Sequence, residues 1–144
     1  MDIEHLGLQI EIHWFDIHAI ELHVRCANGR FFGPAYCYAG HDALRECAGS
    51  LRGFPTTRED RREFTFGTLG PQFAGGGVHL CLRCVDGPGH AVATVQIRSE
   101  TDKPMSETAE FSFSVEPAAI DLFVGQLDQA KLVNGPVALL RRAT

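Results

Sequence analysis

The stretch Val78-His-Leu-Cys-Leu-Arg-Cys-Val-Asp-Gly-Pro-Gly-His-Ala-Val-Ala-Thr-Val-Gln-Ile97 decides the fold. Apolar residues recur at every second position on both sides of Asp86-Gly87-Pro88-Gly89, a cluster of turn formers. Successive side chains of a strand point to opposite faces. Pairing the two halves across the turn sets Cys84 against Ala91, Leu82 against Ala93, Leu80 against Val95 and Val78 against Ile97. The run Ala109-Glu-Phe-Ser-Phe-Ser-Val115 extends the same register, with Ile97 against Ala109, Val95 against Phe111 and Ala93 against Phe113. These apolar residues then share one face, which a slip of one residue would turn outward. Small Ala91 and Ala93 leave room for the Phe111 and Phe113 rings, as dense packing requires. The other face carries His79, Cys81, Arg83, Thr94, Gln96, Arg98, Glu110 and Ser112. One wetted face is ordinary for an antiparallel sheet.

Upstream, Leu6, Leu8, Ile10 and Ile12 alternate as a first strand, and His13-Trp14-Phe15-Asp16 interrupts the alternation. Ile20, Leu22, Val24 and Cys26 form a second strand that runs into Asn28-Gly29, a strong hairpin signal. The return strand, Arg30 to Tyr38, contains Pro34, which has no N–H for a ladder and so marks an edge or a bulge. Residues 42–52 switch period: Leu44, Cys47, Ala48 and Leu51 make one helical stripe, with Asp42 to cap it and Gly53 and Pro55 to end it. A charged run, Arg58 to Glu63, reads as a solvated loop before a short strand at Glu63 to Phe66. Pro117 opens a closing helix with Ile120, Phe123, Val124 and Leu127 on its buried side, and Asn134-Gly135-Pro136 stops it. Residues 136–144 are left as a tail that docks through Val137, Leu139 and Leu140. The pattern predicts a single α+β domain over residues 1–144: an antiparallel sheet of about six or seven strands with two helices packed on its apolar face. The alternative is a two-sheet β-sandwich with peripheral helices.

The net charge of −5 is unevenly spread. Residues 1–25 carry −4 and residues 99–128 carry −6, around a middle of +2. A nucleic-acid footprint needs a basic stripe, and this distribution excludes one. No apolar run approaches the ~18 residues of a membrane helix. Asp2 and Glu4 stand where a secretory leader has its basic region, and with five cysteines, an odd number, the expectation is reduced thiols in the cytoplasm. Cys81 and Cys84 have C-x-x-C spacing but lie three apart on one predicted strand. Their sulfurs then point to opposite faces, so neither a metal site nor a disulfide is expected of them.

Seven histidines are present, and His5, His13, His18 and His23 crowd the N-terminal quarter among Glu11, Asp16 and Glu21. His13 and His23 share a face only if the first two strands pair, and solvent-facing strand histidines are the plainer reading. Gly75-Gly76-Gly77 leads into a strand rather than a helix, so a connector or bulge is expected there and not an anion cradle. No G-x-S-x-G or other nucleophile motif occurs. No catalytic residue, metal ligand or cofactor is therefore assigned, and the absence of a nucleophile beside the histidines points away from catalysis. A cleft of ~300 Å³ or more lined by His13 and His23, or by His79, Arg83, Arg98 and Glu110, would point back to it.

The order of elements is strand, hairpin, a short helix ending in Leu51-Arg-Gly-Phe-Pro55, three strands, and a final helix opened by Val115-Glu-Pro-Ala-Ala-Ile-Asp121. In this layout the chain resembles small bacterial proteins grouped with polymorphic-toxin immunity proteins, the WapI-like ones among them. The resemblance implies a cytosolic protein that works by binding another protein. The expected function is a non-catalytic protein-binding module, in its sharpest form a toxin-neutralising one, with a small-molecule-binding domain or an enzyme as the alternative. Its acidic segments suit a basic protein partner. The expected contacts are His79, Arg83, Gln96, Arg98 and Glu110 on the wet sheet face, with Trp14, Tyr36 and Tyr38 as aromatic anchors.

Overall fold

The computed structural model describes residues 7–70, 75–101 and 104–143. Leu6, assigned above to the first strand, lies outside them. The elements run β1 (Gly7–Phe15), β2 (Ile20–Ala27), β3 (Phe32–Ala39), α1 (Ala43–Leu51), β4 (Arg61–Gly67), β5 (Gly77–Cys84), β6 (Ala91–Arg98), β7 (Thr108–Val115), α2 (Pro117–Asp128) and β8 (Gly135–Leu140). They form two four-stranded antiparallel sheets, β3-β2-β1-β8 and β4-β5-β6-β7.

The α+β class is as expected, and so is the register of β5, β6 and β7. Leu80 lies opposite Val95, Val95 opposite Phe111, and Ala93 opposite both Leu82 and Phe113. Leu80, Val95 and Phe111 are buried. Ala109 departs from the pattern, exposed near the start of β7. Two turns work as their residues dictate. Asn28 Oδ1 accepts the N–H groups of Arg30 and Phe31 at 3.0 and 2.9 Å, and Gly29 takes a positive φ of 89°. Gly53, at φ 81°, ends α1.

The strands do not join into one sheet of six or seven. An eighth strand exists, and the set splits in two. The expected tail, residues 136–144, begins instead as a strand: Gly135–Leu140 pair with β1 as β8. Pro136 is tolerated because β8 is an edge strand. The outward N–H of Leu139 is taken by Gln126 Oε1 of α2 at 2.9 Å, which blocks that edge. At the other edge, Gly76 N–H donates to Tyr36 O at 3.1 Å, and Tyr36 N–H donates to Glu100 Oε2 at 2.6 Å. Strand β3 is thus covered by loops of the second sheet rather than by a fifth strand. The inner faces of both sheets and the stripes of both helices enter one core. The helices are part of that core: Leu44, Leu51, Ile120, Phe123 and Leu127 are buried in it.

The charged run is the expected solvated loop only in part: Arg58 and Glu59 are exposed in a turn, β4 begins at Arg61, and Asp60 and Arg62 are half-buried. Arg62 donates Nε and Nη2 to the two Asp60 oxygens at 2.9 and 3.0 Å, a bidentate fork. Its Nη1 reaches Ser50 O and Arg52 O, at 3.1 and 3.2 Å, at the end of α1. A guanidinium on carbonyls at a helix C-terminus also opposes the helix dipole favourably. The Asp60 carboxyl is held down to about 2, chiefly by the Arg62 hydrogen bonds. A depressed carboxyl contributes its full stability above its ordinary pKa of 3.8 and loses it as pH falls through about 2. Arg62→Ala should therefore destabilise the fold by about 1.5–3 kcal/mol at neutral pH. In urea titrations repeated at descending pH, the gap to the parent should narrow between pH 4 and pH 2. A gap that is constant across that range would contradict the Asp60 pairing.

Candidate functional site

The expected contact residues fall on the outer faces of two different sheets. On the first sheet, pairing lays the side chains out in rows. Gln9, Arg25 and Pro34 form one row, Glu11, His23 and Tyr36 the next, and Trp14, Glu21 and Tyr38 the third. The third row exists because of a bulge. Ile12 pairs with Leu22 and Trp14 with Glu21, leaving His13 as the extra residue. The bulge turns both His13 and Trp14 to the outer side, where strict alternation would have sent Trp14 inward. The strand therefore runs through the expected break to Phe15. Asp16 then makes the turn, its Oδ1 accepting His18 and Ala19 N–H at 2.7 and 3.0 Å. Those two bonds hold the Asp16 carboxyl below its usual range.

The first two strands do pair, so His13 and His23 share this face. His23 stacks on Tyr36 with ring centroids 4.3 Å apart and an 8° tilt, and His13 meets the same ring edge-on at 5.0 Å. Burial, and then the neighbouring Arg25, lower the His23 pKa, so this imidazole is neutral at pH 7. Arg25 donates to Gln9 Oε1 at 2.5 Å and lies 3.7 Å from Glu11. Glu11 thus has a permanent cation beside it. Glu21 has only His13 as an ion-pair partner among the described residues, at 3.8 Å. Trp14 and Tyr38, on either side of Glu21, are 46% and 55% exposed. Both rings are therefore open to a partner, each with a polar tip beside its apolar body.

On the second sheet, His79, Arg83, Gln96 and Glu110 do come together, around a hollow of about 320 Å³ that also takes in Glu63 and Cys81. Thr65 Oγ1 lies 2.7 Å from His79 Nδ1, and His79 Nε2 lies 3.2 Å from Glu63 Oε1. The His79 and Arg61 hydrogen bonds hold the Glu63 carboxyl below its ordinary range. A hydroxyl, an imidazole and a carboxylate in line have the outline of an activated nucleophile. The ladders on both sides of β5 occupy its backbone N–H groups, so an oxyanion there would have to be met by the side chains of Arg61, Arg83 or Gln96. Cys81 lies on this outer face and Cys84 in the core, as strand parity requires, and all five cysteines are free thiols. Burial raises the Cys37 and Cys47 thiols to about 12.

Arg98 is the correction. Its position in β6 belongs to the wet face, yet it is 1% exposed. The Gly75-Gly76 segment crosses over the end of β6 to cap β3, and Arg98 Nη1 donates to Gly75 O at 2.6 Å. Arg98 thus holds the glycine loop in place and is not a surface contact. The same crossing occupies the loop's polar groups: Gly76 N–H goes to Tyr36 O, and Gly76 O accepts Thr68 N–H. The triglycine segment is a close backbone contact, in keeping with the connector reading.

One cluster escaped the sequence reading. His90 Nδ1 lies 2.7 Å from Asp86 Oδ2 and its Nε2 lies 3.0 Å from Glu116 Oε2. Asp86, and to a lesser degree Glu116, raise the His90 pKa. The imidazole ties the β5–β6 turn to the start of α2. The spacing of Asp86 and His90 offered a local hint, but Glu116 is brought in only by the fold. Among the described residues no group of three or more His, Cys, Asp or Glu is placed to hold a metal ion, and no helix is long and apolar enough to cross a membrane. Compared with protein-family models, with curated proteins and with solved structures, the chain finds no significant match.

Proposed function

We propose that this chain is a protein-binding module that docks a basic protein on the outer face of its first sheet. Toxin neutralisation in the bacterial cytoplasm is the sharpest form of that reading. The observation that supports it best is the gathering of Trp14, Tyr36 and Tyr38 on one face with Glu11 and Glu21. Aromatic anchors with carboxylates beside them, Trp14 and Tyr38 being exposed, are what a cationic partner's surface complements. The free thiols are in keeping with a reducing compartment.

Affinity capture from the native cell tests the reading. Trp14→Ala and Glu21→Lys should lose the partner, with Trp14→Ala costing about 2 kcal/mol or more, roughly 30-fold in affinity. Arg83→Glu and Glu110→Lys, on the other sheet, should retain it. Loss with the second pair alone would move the interface to the other face. Retention of nothing by the parent chain would remove the reading.

The hollow on the second sheet supports the alternative, a site for a small polar ligand or a hydrolytic reaction. Its volume passes the ~300 Å³ mark set for a ligand cleft. Its lining is mostly polar and charged, whereas ligand pockets are predominantly apolar. That difference ranks it second. Hydrolysis of an activated ester that disappears in both Thr65→Val and His79→Gln would reverse the order.

A further inference from the structure

We propose that Trp14, Glu21 and Tyr38 form a receptor for a single arginine side chain presented by the docking protein. The inference rests on the protein-binding reading and names what that face recognises. Three cross-strand neighbours make the receptor, with Trp14 and Tyr38 as walls and Glu21 between them. Strands lie about 4.8 Å apart, so the two walls rise from backbones about 10 Å apart. A flat cation seated on Glu21 would have an aromatic neighbour on either side along the row. The Tyr38 ring is backed on one side by the Gly75 segment, where an added Cβ would lie 3.4 Å from Cδ2. A supported ring loses little freedom on binding.

Charge selects the occupant. The Glu21 side chain is 19% exposed, reachable but partly desolvated, which strengthens its pull on a cation. A carboxylate accepts at about four lone-pair sites. The Tyr38 hydroxyl engages one of them, and His13 stands 3.8 Å away, so sites remain for a forked donor. Glu11 lies in the adjoining row and is matched by Arg25, so it does not compete for the cation. Between the two common cationic side chains, arginine fits better. Its guanidinium is planar, stacks on aromatic rings and pairs with a carboxylate through two parallel bonds, whereas an ammonium is a compact, strongly hydrated point charge.

Trp14 is the only tryptophan, so the chain's tryptophan emission reports on this receptor alone. The test titrates a blocked Gly-Arg-Gly peptide into the protein at low salt and follows that emission. Otherwise identical peptides with citrulline or lysine serve as comparisons. A saturable change is expected with arginine, at least tenfold weaker with citrulline and several-fold weaker with lysine. Glu21→Gln should weaken the arginine peptide at least tenfold, and Tyr38→Phe, which keeps the ring, should leave binding within threefold. Equal responses to citrulline and arginine, or an unchanged response in Glu21→Gln, would overturn the receptor. If the peptide fails while Trp14→Ala still abolishes capture of the native partner, the receptor falls and the docking face stands. If the peptide binds as expected while Trp14→Ala and Glu21→Lys both retain the native partner, the receptor stands as an arginine site and the docking reading falls.

Discussion

Phe123→Ala is expected to lower the free energy of unfolding by about 3–5 kcal/mol. Phe123 is fully buried in the middle of α2, between Ile120 and Leu127 on the same stripe. The helix has little local support. Its N-cap, Glu116, makes no side-chain cap hydrogen bond, and neither its first-turn nor its last-turn charges favour the dipole. A twelve-residue helix of this kind is held by docking rather than by propensity. Removing the ring forfeits about 1.5–3 kcal/mol of transfer free energy and leaves a cavity beside α1 and β8 that the surroundings fill only in part. Against a typical stability of about 5–15 kcal/mol, the loss is a large fraction of the whole. The effect should reach β8, whose Leu139 N–H is held by Gln126 of the same helix. Urea denaturation measures the total, and amide exchange should show the β8 amides opening early. A loss below about 1 kcal/mol would mean that α2 is not docked as described.

Gly77→Ala should cost about 3 kcal/mol or more, for a different reason. Gly77 lies opposite Gly67 on one side and Arg98 on the other. A Cβ at Gly77 would lie 2.1 Å from Thr68 O and 2.4 Å from Thr68 C. Those are backbone atoms, so no side chain can swing aside and the strands themselves must move. Gly67, at φ 68°, lets the chain fold back this closely. Gly49→Ala is the matched comparison. It lies in α1, exposed, with nothing within 4 Å of its added Cβ. That change should raise stability by about 0.5–1 kcal/mol, because alanine loses less freedom than glycine on entering a helix. Paired thermal melts of the two variants, moving in opposite directions, would confirm both readings. Equal behaviour would show that the Gly67–Gly77 contact is looser than described.

The candidate site was legible in its residues and not in its arrangement. Trp14, Tyr36 and Tyr38 were picked out as aromatic anchors, and His79, Arg83, Gln96 and Glu110 as one face of a sheet. The second group could be assembled from sequence because its strands are consecutive and two apolar faces had to agree. The first group could not, because a single bulged residue, His13, decides which way Trp14 points. The only local sign was a run of large residues at 13–15 that breaks alternation. Arg98 failed for a non-local reason. Its parity in β6 was read rightly, but a loop from another part of the chain covers it.

By itself, the amino-acid sequence determined what depends on near neighbours. The register of β5, β6 and β7, the buried stripes of α1 and α2, the Asn28-Gly29 turn and the opposite faces of Cys81 and Cys84 all follow from side-chain period and turn chemistry. Tertiary structure decided which apolar surface covers which. The division into two sheets, the return of residues 135–140 to β1, the burial of Arg98 and the closure of the β3 edge by Gly76 and Glu100 join residues far apart in the chain. Alternation shows that a face must be buried, but the free energy gained is much the same whichever apolar surface buries it. The choice among partners rests on close fits such as Gly33 against Ile97 and Gly77 against Thr68, which exist only once the chain has folded.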